Sequence, residues 1–417
     1  MLRTMAVLLL LLLSGAVLYN PATAATTQSL VLTLEEALLR GLENNFQLRA
    51  ERLNLPISRE DVTIETARFD PVADAGAAVA AERQPTAAQI YDDGYARWRR
   101  YRAEVGLGKK FLSGLEARLA LESERLGDNA ASGLDPEYRT YLLLDFVQPL
   151  LRNFGSATNS SDLRSAEQRH EQSFFAYLDQ AQRLAAEIEL AYFELARSRE
   201  ILRLRMESRE LAETLLLGNR QKFEAGTVPI SEVQEALTAV AARDEQVVFA
   251  RQQMEIAAHL LKGLLDIGPT DPLANTTLLT ESLPATGQLW PALAPALETA
   301  LAERPDLAAQ RREITRRDIR LAFYQNQTLP RLDLEASLGI NGLSGTVSDA
   351  DNSIASSNRG DYWRSVDRAA SADGYQWYAG IRFEYPLGNR AARARQQQAG
   401  QEKRQALYLL KGLESTV

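Results

Sequence analysis

Two histidines, His170 and His259, are the only side chains of this 417-residue chain with an ordinary pKa near neutrality, and there is no cysteine. Without cysteine there is no thiol nucleophile, thiolate metal site, disulfide or lipid-attachment point. Both histidines fall in long stretches of helical periodicity, where an imidazole reads as a surface or interface group rather than a ligand. No G-x-S-x-G, P-loop, H-E-x-x-H or dinucleotide fingerprint after a strand occurs. The 55 acidic and 47 basic residues are interspersed, with a net charge of −8. On amphipathic helices such charges read as a solvated face, and no basic stripe suits nucleic acid. The residues predict a protein that is not an enzyme and that uses no metal and no cofactor.

The spacing that carries meaning is a turn. Gly226 breaks one long helical pattern where a left-handed C-cap suits glycine, and Pro229 follows where it can pre-set the first turn of the next helix. The first helix is capped at Ser161 or Asp162 and runs to about Glu224, roughly 90 Å at 1.5 Å per residue. Its apolar stripe is Tyr177, Ala181, Leu184, Ile188, Tyr192, Leu195 and Leu202. The second helix carries Ile230, Val233, Leu237, Val240, Val247, Met254, Ala258, Leu261 and Leu265. With Asp244 and Arg251 in the two vacant places, this is a heptad seam that needs a partner helix. Helices of this length joined by one tight turn predict an antiparallel rod. An earlier helix starts after Thr33, with Glu36 completing a capping box, and runs to about Phe69. Pro56 is expected to kink or split it.

Other segments alternate every second residue. Leu332, Leu334, Ala336, Leu338 and Ile340 oppose Arg331, Asp333, Glu335 and Ser337. Leu115, Ala117, Leu119 and Leu121 oppose Glu116, Arg118, Glu122 and Glu124. Trp377, Ala379, Ile381, Phe383 and Tyr385 oppose Gln376, Arg382 and Glu384. Such ribbons have one apolar and one wet face, which fits either a soluble sheet on a core or a transmembrane barrel with lipid outside and water inside. The aromatic residues, including Tyr141, and the N-terminal leader favour the barrel. In that leader Arg3 precedes an apolar run and Ala22-Thr23-Ala24 supplies a cleavage site, so 1–24 reads as a secretory signal. A few strands per copy cannot close a barrel, and open edges in lipid leave backbone groups unpaired, so the barrel must be shared between chains.

The chain is also internally duplicated. Residues 38–77 lie on 297–336 without a gap at an offset of 259, pairing Leu42 with Leu301, Leu48 with Leu307, Arg52 with Arg311, Pro71 with Pro330 and Asp74 with Asp333. Tyr138, Tyr141, Phe146 and Pro149 match Tyr375, Tyr378, Phe383 and Pro386 at an offset of 237, leaving 22 extra residues in the first copy. A hairpin within 98–126, turning at Ser113-Gly114, is the size of that insertion. The predicted organisation is a first repeat over 30–267 (helix, strands within 72–148, helical hairpin 157–265) and a linker over 268–288. A second repeat follows over 289–417, with a helix, strands within 331–386 and the start of a second hairpin. The polar stretch 346–372 is expected to be an exposed, mobile loop.

Four motifs identify a resemblance. They are Leu32-Thr33-Leu34-Glu35-Glu36-Ala37-Leu38, Gln148-Pro149-Leu150-Leu151-Arg152-Asn153-Phe154-Gly155, Phe223-Glu224-Ala225-Gly226-Thr227-Val228-Pro229 with Ser231-Glu232-Val233, and Arg304-Pro305-Asp306-Leu307. With the duplication, they make the chain similar to the TolC-type outer-membrane efflux family from about residue 30 to 417. The resemblance implies an α+β membrane protein: a homotrimer with one shared antiparallel β-barrel in outer-membrane lipid and a long α-helical coiled-coil barrel in the periplasm. It implies a passive exit duct of a tripartite efflux or type I secretion system, for drugs, metals or secreted proteins. Its partners would be a periplasmic adaptor and an inner-membrane transporter. Gly226, Thr227, Val228, Ile230, Ser231 and Val233 are the implied adaptor contacts. The alternatives are a structural coiled-coil envelope protein without a pore, an envelope hydrolase, or a truncated efflux protein. The last arises because only 387–417 follow Pro386, so the second hairpin lacks its returning helix.

Overall fold

The computed structural model describes residues 29–91, 93–129, 133–281, 292–347 and 355–417. The leader at 1–24 and the end of the expected linker lie outside them. The chain divides into two compact units, one within 1–49 and 180–289, the other within 50–179 and 290–417.

In the first unit, strand β1 (Ser29–Leu32) leads into helix α1 (Leu34–Asn44). Thr33 and Glu36 close the expected capping box: the Thr33 hydroxyl accepts from the Glu36 amide at 3.1 Å, and the Glu36 carboxylate accepts from the Thr33 amide at 3.0 Å. Helix α2 (Phe46–Ala67) then begins. The break therefore falls at Asn45, and Pro56 stays inside α2, which corrects the expectation of a split there. Asn45 fixes the junction: its Oδ1 accepts from the Leu48 amide at 3.1 Å, and its Nδ2 donates to the Leu264 carbonyl at 3.3 Å. The long helix α4 (Ser161–Glu224) contributes Ile188, Tyr192 and Leu195 to this core, and α5 (Ile230–Leu264) contributes Leu261. Elsewhere the buried positions of α5 are Ala236, Ala250 and Ala257, whereas Ile230 and Leu237 are about half exposed. The buried line thus runs beside the expected seam, where a methyl group fits and larger side chains face outward.

The expected linker holds a strand, β6 (Thr277–Thr280), which pairs in parallel with β1. Tyr192, buried, fixes that pair. Its hydroxyl donates to the Leu32 carbonyl and accepts from the Glu281 amide, each at 3.0 Å.

The second unit is built on an antiparallel sheet of six strands. They are β2 (Val72–Pro85), β3 (Tyr95–Lys110), β4 (Glu116–Asp128), β5 (Leu134–Pro149), β7 (Arg331–Val347) and β8 (Gly374–Glu384), neighbours in that order. The β3–β4 hairpin turns through Gly114 at φ 94° and joins the sheet, which places the first copy's extra hairpin. A single turn, α3 (Ser156–Asn159), follows β5. Helix α7 (Pro305–Gln327), preceded by α6 (Leu293–Glu303), packs against α9 (Arg390–Glu414). Leu307 and Ile319 are buried on α7, Ala399 and Ala406 on α9, and Arg317 reaches Glu402 at 2.6 Å.

The described part of 346–372 is not a mobile loop. It contains helix α8 (Tyr362–Ala370), whose Ser365 and Ala369 are buried against β5 and β7. Ser365 hydrogen-bonds Thr140 at 2.8 Å, and Asp361 caps the helix. Glycine at 342 is required here, because a Cβ would run into the Ser365 carbonyl.

Candidate functional site

The pairing registers assign every sheet residue to one of two faces. Opposite residues share a face, and side chains alternate along each strand. One face collects Val79, Val105, Leu107, Leu119, Leu121, Leu142, Leu144, Leu334, Leu338, Trp377 and Ile381. Val79, Trp377 and Ile381 are 67%, 69% and 70% exposed in the single chain. No element beyond α8 covers this face among the described residues.

The opposite face is an ion-paired ladder. Arg100 meets Glu124 at 2.9 Å, Arg102 meets Glu122 at 2.8 Å, and Arg118 meets both Glu104 at 2.5 Å and Asp74 at 2.7 Å. Arg382 meets Glu335 at 2.9 Å. Cross-strand pairs of opposite charge contribute only tenths of a kcal/mol each. Their weight lies in chemistry: a wall of paired guanidinium and carboxylate groups is wetted by water and carries no single-sign field. An apolar face this open must meet lipid or protein.

The sheet is also unfinished. Among the described residues β2 and β8 each have one neighbour, so 14 and 11 residues of edge backbone lack a partner strand there. Exposed edges of that length template pairing with another chain. All four helical connections, α2 to β2, β5 to α3 and α4, α7 to β7, and β8 to α9, enter the sheet at one end of the strands. At the other end lie the connections after β2, β4 and β7, the last of which contains α8.

The first unit holds the second candidate, the turn between α4 and α5. Gly226 adopts φ 71°, the Thr227 amide donates to the Lys222 carbonyl and the Gly226 amide to Phe223, both at 2.9 Å. That is a complete Schellman cap. The Thr227 hydroxyl adds a bond to the Lys222 carbonyl, also 2.9 Å. Pro229 is the N-cap of α5 with ψ 159°, one place before the first-turn position expected of it. Gly226, Thr227, Ile230 and Ser231 are exposed, Val228 and Val233 half-buried, so all six predicted contacts gather at one turn. Behind it, Asn219 donates to the Glu232 carbonyl at 3.3 Å, Arg205 to Gln246 at 3.0 Å, and Arg209 pairs with Asp244. The hydrogen bond and charge of Asp244 raise the Arg209 pKa further above its usual range.

Of the histidines, His170 accepts or donates at 2.9 Å to Ser58, a buried α2 hydroxyl, and so ties two helices together. His259 is exposed. Among the described residues no cluster of three His, Asp or Glu groups suits a metal ion. The sequence reading missed the contact made by Tyr192 and the helix α8; a hydroxyl-bearing ring set between Ile188 and Leu195 was the available signal for the first.

No protein-family model matches the chain, and neither does any curated protein. Solved structures do. A membrane protein from Pseudomonas aeruginosa aligns with a TM-score of 0.60 at 19% identity, over 92% of this chain and 74% of its own. The outer-membrane channel OprN aligns at 0.60 and 17%, over 91% and 70%. The Campylobacter jejuni CmeC outer-membrane channel aligns at 0.57 and 16%, over 92% and 68%. At such identities the likeness is one of fold. The chain has the α+β fold of the TolC-type outer-membrane channels, which the sequence motifs implied.

Proposed function

We propose that this chain is the outer-membrane channel of a tripartite efflux or type I secretion system, a passive duct rather than an enzyme. The observation that carries the reading is the six-stranded sheet with an ion-paired face, an apolar face that only α8 partly covers among the described residues, and two open edges. A soluble sheet would bury the apolar side under a core layer. A closed barrel assembled from three copies pairs β2 of one chain with β8 of the next, faces lipid with the leucines and aromatics, and lines water with the ion pairs. The sheet lies in the outer membrane and the helices at its one end in the periplasm. The α4–α5 turn, through Gly226, Thr227, Val228, Ile230, Ser231 and Val233, is the docking contact for a periplasmic adaptor that links the duct to an inner-membrane transporter.

The test is biochemical and electrical. Outer-membrane fractions should contain a heat-modifiable band of trimer size, and planar bilayers with purified protein should show discrete conductance steps. Recovery only as a soluble periplasmic monomer would defeat the reading and leave the coiled-coil envelope protein in its place.

A further inference from the structure

The apolar face of the sheet is interrupted at one place. Near the strand ends remote from the helices, Arg83, Arg97, Arg99 and Arg125 all project from the face that otherwise carries valine and leucine. They surround a cavity of about 540 Å³. Arg97 pairs with Asp93, Arg83 stacks over Tyr95 at 4.0 Å, and Arg125 over Tyr101 at 5.5 Å. Arg99 is exposed. Asp128 and Asp135 line the outer end. At the opposite end of the same strands this face carries Ala73, Leu107, Ala117, Phe146 and Leu332, with Lys109 over the Phe111 ring as the sole cation. The basic cluster is thus one-sided.

Immediately inward lies a second cavity of about 500 Å³, which shares Tyr101 and Arg125 with the first. Ala77, Val79, Ala103, Tyr138 and Tyr362 line it, the last from α8, which closes one side. Tyr138 and Tyr362 meet edge to face at 6.2 Å.

We infer that these adjoining cavities form a binding site for an anionic, phosphate-bearing lipid of the outward leaflet, with its phosphate on Arg99 and Arg125 and an acyl chain in the Val79–Tyr101–Tyr362 groove. The inference rests on the lipid-facing reading of this face. Arginine on such a face costs several kcal/mol at the bilayer midplane and almost nothing at the interface, which fixes this end of the strands at headgroup level. There, guanidinium forks match phosphate oxygens in pairs, and the stacking of Arg125 on Tyr101 holds its fork in place. The apolar groove begins where the arginines end, the order of groups along one lipid molecule.

Full-length protein in detergent should be offered phosphatidylglycerol and phosphatidylcholine of identical chains, with retained lipid counted by native mass spectrometry. Wild type is expected to keep the anionic lipid in preference, and R99Q and R125Q each to reduce that preference roughly fivefold. Val79→Asn should lower retention of both lipids alike. Equal retention by wild type, an unchanged preference in R99Q/R125Q, or displacement of the lipid by inorganic phosphate alone would overturn the site. Conductance is recorded on the same samples. A wild type that conducts but shows no lipid preference removes only the lipid site, whereas absent conductance and insertion of the wild type remove the channel reading beneath it.

Discussion

At the scale of single residues, the two-sided use of Tyr192 shows how little chemistry this fold needs. One hydroxyl satisfies a strand carbonyl and a loop amide in a buried place, 3.0 Å from each. Tyr192→Phe leaves both backbone groups without a partner, at a cost of about 1–3 kcal/mol. The thermal midpoint of the detergent-solubilised protein should fall by several degrees; an unchanged midpoint would mean water replaces the hydroxyl. Glu313 on α7 gives a pH dependence. Burial pushes its carboxyl up, but hydrogen bonds and charge from Arg316 and Arg317, at 2.6 and 2.7 Å, outweigh this and hold it below the usual carboxylate range. A lowered folded-state pKa contributes stability that is complete above the unfolded value, near 4.5, and lost as pH falls through the lowered one. Wild type should therefore lose more of its midpoint between pH 7 and pH 3 than Glu313→Gln does. Equal losses in melts at the two pH values would show that other carboxylates dominate.

At the scale of elements, the long helices were legible because the turn that joins them is set locally. Gly226 ends α4 through a cap that only a positive φ allows. The cap expected at Ser161 or Asp162, by contrast, is not made. Ser161 is the first helical residue, the Arg164 amide donates to the Ser160 carbonyl at 2.8 Å, and Asp162 pairs with Arg68 and Arg320. The break at Asn45 was legible too, but in the other copy. α6 and α7, Leu293–Glu303 and Pro305–Gln327, lie at the repeat offset from α1 and the start of α2, and Pro305 marks the break by its place at the first helical position. Pro56 drew attention instead, although its helix carries it on an exposed face. The helix α8 and the β1–β6 pair were hidden for a different reason. Nine and four residues are too few for periodicity to speak, and both depend on tertiary partners: Thr140 and Gly342 for the first, Tyr192 for the second. Two predictions belong here. Gly226→Val forces a β-branched residue into the left-handed region at about 1–2 kcal/mol, with no neighbour within 4 Å for it to strike. It should fray the turn, weaken capture of the cognate adaptor and leave the trimer intact, while Gly226→Asn keeps capture; equal capture by all three proteins would retire the docking assignment. Gly342→Val should push α8 off the sheet, and limited proteolysis would then cut within 355–372 in the variant but not in wild type.

At the scale of the whole molecule, the decisive question is what the two faces of the sheet touch, and neighbouring residues on one strand can answer it. Leu338 and Ser337 are adjacent on β7 but point to opposite sides: Leu338 lies opposite Leu144 and Trp377, Ser337 opposite Asp145 and Tyr378. If Leu338 faces lipid, Leu338→Arg places a guanidinium in hydrocarbon at about 2–4 kcal/mol per chain, and a closed trimer incurs that cost three times over. Ser337→Arg adds the same charge to a water-lined wall already rich in ion pairs, where it should alter conductance and ion preference yet spare assembly. A soluble sheet packed on a core would respond to L338R by unfolding in the periplasm, and a two-sided protein interface would tolerate neither change. The pattern expected is therefore specific: outer-membrane trimer sharply reduced in L338R and retained in S337R, with single-channel currents changed only in the latter. Similar trimer yields from both variants would mean that the apolar face meets something other than lipid, and the shared barrel would have to be abandoned.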